Sequence, residues 1–207
     1  MSEATAPRLE TAIRAALASV LREDGFSGSG RTFRRVTGSW VQVLNVQGSR
    51  YGGSFAVNLA AHPLVIPDVV GNKPDPKKIT QELCEFRRRL SETEADQWWK
   101  HDLTEESMLS AVREAAAVYR RRGNELFQRA CGPHSGFNAL LAANFSAGAY
   151  DTAGFGSTQV RMALALARLR QSESQPEEAK AFAAYGLAHA GSATLLRREL
   201  EALAAQQ

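Results

Sequence analysis

The sequence predicts an α+β fold, an antiparallel sheet of about four strands with packed helices, followed by an all-α C-terminal helical extension. Three observations carry this expectation. An apolar stripe at helical spacing opens the chain. Short alternating segments joined by glycine-rich turns follow it. After Cys131 the chain becomes Ala-rich and keeps helical spacing to its end. The expected organisation is therefore an α+β domain over residues 1–131 and a helical extension over residues 132–207.

The first helix is expected at Leu9–Asp24, where Leu9, Ile13, Ala16, Leu17, Val20 and Leu21 share one face. Gly25 can take the left-handed conformation that ends a helix, and Phe26 folds back on it. Strands are expected at Arg31–Val36, Ser39–Gln47 and Ser54–Ala61, each rich in β-branched or aromatic residues. Their short connections, Gly38-Ser39 and the Gly48–Gly53 loop, make them antiparallel neighbours. Four prolines make a loop of His62–Ile79, and Leu83–Leu90 fits a fourth strand or a short helix. Thr104 caps a long helix with Glu105 and Glu106 in its first turn, running to about Ala130 and stopping at Gly132-Pro133. Helices then follow at Ser135–Ala149, Gln159–Arg170, Pro176–Ala190 and Ser192–Ala204. The last two resemble one tetratricopeptide-like hairpin, without a repeat at fixed period.

The order of segments resembles a bacterial family, the domain of unknown function numbered 4304. The residues that carry the likeness are Gly25-Phe26, Thr32-Phe33-Arg34, Val43–Arg50, Phe55–Leu59, Arg87–Leu90 and Trp98-Trp99. The resemblance covers roughly residues 8–130. The resemblance implies a small α+β domain and no particular activity.

Composition bounds the function further. With 207 residues and 44% hydrophobic content, the chain can bury roughly 70% of its extended surface without a disulfide or a metal. No apolar run approaches the roughly 18 residues of a membrane span, and Met1–Leu17 lacks the pattern of a secretory signal. A cytoplasmic location and no membrane partner are expected. Cys84 and Cys131, far apart in apolar surroundings, read as buried thiols. The net charge of +3 is a weak argument for nucleic acid.

Chemistry-bearing motifs are few. Gly25–Gly30 lacks a phosphate loop's architecture, because the helix precedes it and presents the wrong end of its dipole. Cys131-Gly-Pro-His134 is half of a metal-ligand pattern, and structural zinc sites show two such pairs. Catalytic residues, metal and cofactor are all expected to be none. Arg34-Arg35, Arg87–Arg89 and Arg120–Arg122 split across faces, if the strands hold, and read as solvated arginines pairing with Glu82, Glu85, Glu92 and Glu94. The distinctive set is Gln42, Asn45, Gln47, Ser49 and Arg50, with Asn58 on the next strand. Amides are uncommon inside strands and need partners when buried. Beside them, Trp98-Trp99 offers aromatic surface of the kind that anchors protein interfaces, one ring capping the core and the other partly exposed.

The expected binding residues are Asn45, Gln47, Ser49, Arg50, Asn58, Trp98 and Trp99, and the expected function is a non-enzymatic protein-interaction module. An immunity protein that neutralises a toxin fits that description by analogy. The alternatives are an enzyme using a pocket between sheet and tail, with His62, His101 or His134 as acid–base groups, and a nucleic-acid binder. The partner and the oligomeric state stay open.

Overall fold

The computed structural model describes residues 8–93, 95–102 and 104–205; Met1–Pro7 and Glu94 lie outside the described residues. The opening helix is broken at Leu17 into α1 (Leu9–Ala16) and α2 (Ala18–Glu23). Leu9, Ile13, Leu17 and Leu21 remain buried on one side across the break. Gly25 takes φ +82° and the Phe26 amide donates to the Leu21 carbonyl at 2.9 Å, which ends α2 as expected.

Six antiparallel strands follow: β1 (Ser27–Ser29), β2 (Thr32–Thr37), β3 (Trp40–Gly48), β4 (Ser54–Pro63), β5 (Phe86–Arg89) and β6 (Trp99–Lys100). The order is β1-β2-β3-β4-β5, and β6 pairs with β4 beyond the end of β5. The sheet therefore has two short strands beyond the four expected. The Leu83–Leu90 ambiguity resolves into a 3-10 turn at Gln81–Leu83 and then β5.

The expected 104–130 helix is α3 (Glu105–Val118), a π-helical turn at Tyr119–Gly123 and α4 (Asn124–Cys131). Thr104 caps it, its hydroxyl accepting from the Ser107 amide at 3.2 Å. Ser135–Ala149 forms two short helices, α5 (Gly136–Ala139) and α6 (Ala142–Ser146), instead of one. The chain ends in α7 (Gln159–Ser172), α8 (Pro176–His189) and α9 (Thr194–Ala204). No helix of the described residues is long and apolar enough to cross a membrane.

Alternation along the strands sorts side chains to two faces. The inner face carries Phe33, Leu44, Val46, Phe55, Val57, Leu59 and Phe86, all buried in the main core with α1, α3 and α4. The C-terminal helices share that core. Phe137 stacks on Phe86 at 3.8 Å between ring centres and on Trp40 at 5.8 Å, and Phe155 packs on Phe127 at 5.4 Å. Arg87 and Gly156 form a β-bridge, and Arg161 makes an ion pair with buried Glu85 at 3.1 Å. The boundary at residue 131 separates two styles of secondary structure, while the packed core crosses it.

The outer face divides into two halves. Val41, Val43 and Ala60 are covered by Ile79, Cys84, Leu64 and Leu83 from the 64–85 segment. Arg34 fastens that segment, donating from Nε to the Ile79 carbonyl at 2.5 Å. The other half carries Thr32, Asn45, Gln47 and Asn58.

Candidate functional site

The uncovered half of the outer face is an array of amides in register. Asn45 stands opposite Thr32 on one side and Asn58 on the other, and Asn58 stands opposite Arg89. Asn58 is only 7% exposed, so burial obliges its amide to find partners. Its Nδ2 donates to Gln47 Oε1 at 3.1 Å and to Asn45 Oδ1 at 3.4 Å, and Asn45 Nδ2 donates to Thr32 Oγ1 at 3.0 Å. Each amide thus orients the next, leaving Gln47 exposed at the end of the chain of bonds.

The rim is cationic and aromatic. Arg89 lies over the Trp98 ring with Cζ 4.8 Å from its centre, while Trp98 Nε1 donates to Asp96 Oδ2 at 3.1 Å. Arg89 Nε also faces Asp96 Oδ1 at 3.5 Å, and Arg89 Nη1 is buried without a hydrogen-bond partner among the described residues. Lys100 stands opposite Ser54 on the same face. At the β3–β4 hairpin tip, exposed Arg50 lies 4.6 Å over the ring of Tyr51 and donates to its hydroxyl. Ser49 Oγ accepts from the Tyr51 amide at 3.2 Å and shapes that tip.

Of the expected residues, the structure brings together Asn45, Gln47, Asn58 and Trp98, with Ser49 and Arg50 at the adjoining tip. Trp99 belongs elsewhere. It lies on the inner face, 3% exposed, stacked on Phe55 at 5.7 Å. Trp99, the first residue of β6, pairs with Phe55 on the inner face, while Trp98 just before the strand lies under Arg89, so only one ring of the pair is near the amides. Gln42 also points inward, accepting from Arg35 Nε at 2.5 Å and donating to Cys131 Sγ at 3.2 Å. Sequence reading missed Arg89 and Tyr51. Arg89 was hidden by the undecided strand, but Tyr51, an aromatic between arginine and glycines in a hairpin loop, was open to view.

The other chemistry-bearing residues are dispersed. His62 is fully buried, its Nδ1 accepting from the Glu85 amide at 3.3 Å and its Nε2 facing the Ile66 carbonyl at 3.2 Å. Burial lowers its pKa below that of an ordinary histidine. His101 packs on Phe55 beside the hairpin, and His134 is exposed beyond α4. Burial pushes the Cys131 thiol up to about 11 and raises that of Cys84 further. Both are free and buried. Among the described residues, no three His, Cys, Asp or Glu side chains are grouped to hold a metal.

The arginine runs are largely committed to the fold. Arg35 donates to the Asp24 carbonyl at 2.8 Å and to Asn124 Oδ1 at 2.7 Å; Arg88 donates to the Ala153 carbonyl; Arg121 pairs with Glu92. Glu85 pairs with Arg161 rather than with the expected runs.

No curated protein and no solved structure matches the chain. A family model described as "Domain of unknown function (DUF4304)" matches residues 17–119, which takes in the whole sheet and all of α3. The chain carries a domain of that family.

Proposed function

We propose that the chain is a non-enzymatic protein-interaction module, whose recognition surface is the amide array with the Arg89–Trp98 rim and the Arg50–Tyr51 hairpin tip. The supporting observation is the buried Asn58 amide, which holds Asn45 and Gln47 in fixed orientations on a sheet face. Pre-oriented donors and acceptors lose little side-chain entropy on binding, which favours recognition. Tyr51, 83% exposed beside Arg50, is of the residue types that dominate binding energy at protein interfaces. Arg50, Arg89 and Lys100 outnumber Asp96 around the array, so the partner presents carboxylates. An acidic protein surface, such as a toxin bound by an immunity protein, has that character. Two free buried thiols suit a reducing bacterial cytoplasm.

The test is a quantitative pull-down from the native cell with the tagged chain and two variants. Gln47→Ala/Arg50→Ala/Tyr51→Ala alters the surface, and Arg197→Ala/Arg198→Ala on α9 is the control. An acidic protein captured by the native chain and the control, and depleted by the surface variant, supports the reading. Equal capture by all three removes it.

A further inference from the structure

A second site lies on the other face of the sheet from the amide array, where α1 and α2 meet the β1–β2 turn. A cavity of about 360 Å³ opens there. Its floor is apolar, made by buried Ala18 and Phe33, and its rim holds Arg8, Arg14 and Arg22 with the Ser29 hydroxyl. Thr11, Arg14, Ala18 and Arg22 follow one another at helical spacing, so a single side of the α1–α2 run supplies two guanidinium groups and part of the floor. Among the described residues, Arg14 and Arg22 carry no ion pair and no side-chain hydrogen bond. The lining carboxylate, Glu10, is already paired with Arg31 at 2.7 Å. Its own backbone amide at the helix start, followed by Arg31, holds its pKa below the usual carboxylate range. The Asp24 carboxylate, at the end of α2, is turned to the Tyr119 hydroxyl at 2.9 Å.

The geometry points to a binding site for a small amphipathic anion, an apolar or aromatic body carrying one phosphate or carboxylate group. The body rests on Ala18 and Phe33, and the anionic group is held by the arginines. Three observations argue for this class. The volume lies within the range of small-molecule sites, and an apolar floor with a few convergent polar groups is their usual composition. Unspent guanidinium groups bind phosphate and carboxylate through paired hydrogen bonds. Side chains hold the anion here, so the unfavourable dipole at the end of α2 does not decide the matter.

Phenyl phosphate serves as the probe, titrated into the full-length chain and followed by amide chemical shifts. Inorganic phosphate, benzyl alcohol and a ten-residue oligothymidylate are run as separate arms. Arg14→Glu/Arg22→Glu is the variant; both positions are exposed, and its thermal melt verifies that the fold is kept. The expected result is saturable shifts confined to residues 11–22 and 27–33. Binding should weaken by about tenfold or more in the variant, as loss of a charge-assisted hydrogen bond implies. Inorganic phosphate and benzyl alcohol should each bind more weakly than phenyl phosphate. Scattered shifts, equal binding by the variant, or tighter binding of the oligonucleotide at the same residues each overturn the assignment.

Discussion

Trp98 and Trp99 are neighbours in sequence with opposite places in the fold, and alanine substitutions should separate them. Trp99→Ala empties a buried site against Phe55 and should cost about 3–5 kcal/mol, whereas Trp98→Ala should cost about 1 kcal/mol or less. Urea unfolding of the two variants measures the difference, and comparable losses would contradict the inner placement of Trp99. Arg170 makes a sharper case. It is 1% exposed and donates to the carbonyls of Phe137 and Leu140 at 2.7 and 2.8 Å, with Glu173 as its ion-pair partner at 2.7 Å. Arg170→Ala strands those carbonyls and should destabilise by about 3–5 kcal/mol, the usual result of breaking a buried pair. His62 adds a pH dependence. Its folded pKa is lowered chiefly by burial, although the Ile66 carbonyl and Asp68 favour the charged form. The unfolded chain therefore takes up a proton first. Stability is full above the unfolded histidine pKa of about 6.5 and falls as the pH drops through it toward the folded value. Glu85, raised by burial against the pull of Arg161, acts in the opposite sense nearer the carboxylate range. Stability followed between about pH 7 and 5.5 should decline in the native chain and decline less in His62→Gln.

At the scale of elements, the π turn at Tyr119–Gly123 depends on its glycine. A Cβ on Gly123 would collide with the Tyr119 ring, which is itself buried and hydrogen-bonded to Asp24. Gly123→Ala should cost about 1–3 kcal/mol, although alanine is the better helix former. Gly186→Ala, whose Cβ would meet the flexible Leu200 side chain at 2.8 Å, should cost less. Thermal melts rank the two. Nothing in Arg120-Arg121-Arg122-Gly123 announces such a turn, because the sequence still reads at helical spacing. The same limit explains the other differences. Trp40–Gly48 and Ser54–Pro63 were legible because β-branched residues and the period of two agree there, and that period put Asn45, Gln47 and Asn58 on one face. Ser27–Ser29 is exposed throughout and carries no apolar signal, so only its pairing with β2 makes it a strand. Trp99-Lys100 is too short to show a period, so the sequence implied one buried and one partly exposed ring without telling which was which. Arg89 could join the site only once β5 was known to pair with β4, and sequence periodicity did not settle that pairing.

For the whole molecule, the question is whether the family domain stands alone, since its match ends at residue 119 while the core continues into α7 and α8. Phe86 and Trp40 owe their burial in part to Phe137, and Phe127 packs on Phe155. Glu85 is 2% exposed and owes its charge compensation to Arg161, with the outer edge of β5 bridged to Gly156. A fragment ending at Cys131 loses all of these together. It would present the rings of Phe86, Trp40 and Phe127 to water and leave a buried carboxylate without its cation, each a cost of several kcal/mol against a total stability of about 5–15 kcal/mol. The full chain should therefore unfold in one cooperative transition, with tryptophan fluorescence and far-ultraviolet circular dichroism tracing the same curve. The 1–131 fragment should show no such transition and should bind an apolar dye. A fragment that melts sharply and keeps the fluorescence of buried tryptophan would mean that the α+β part closes its own core, with the helices after Cys131 docked on a finished domain.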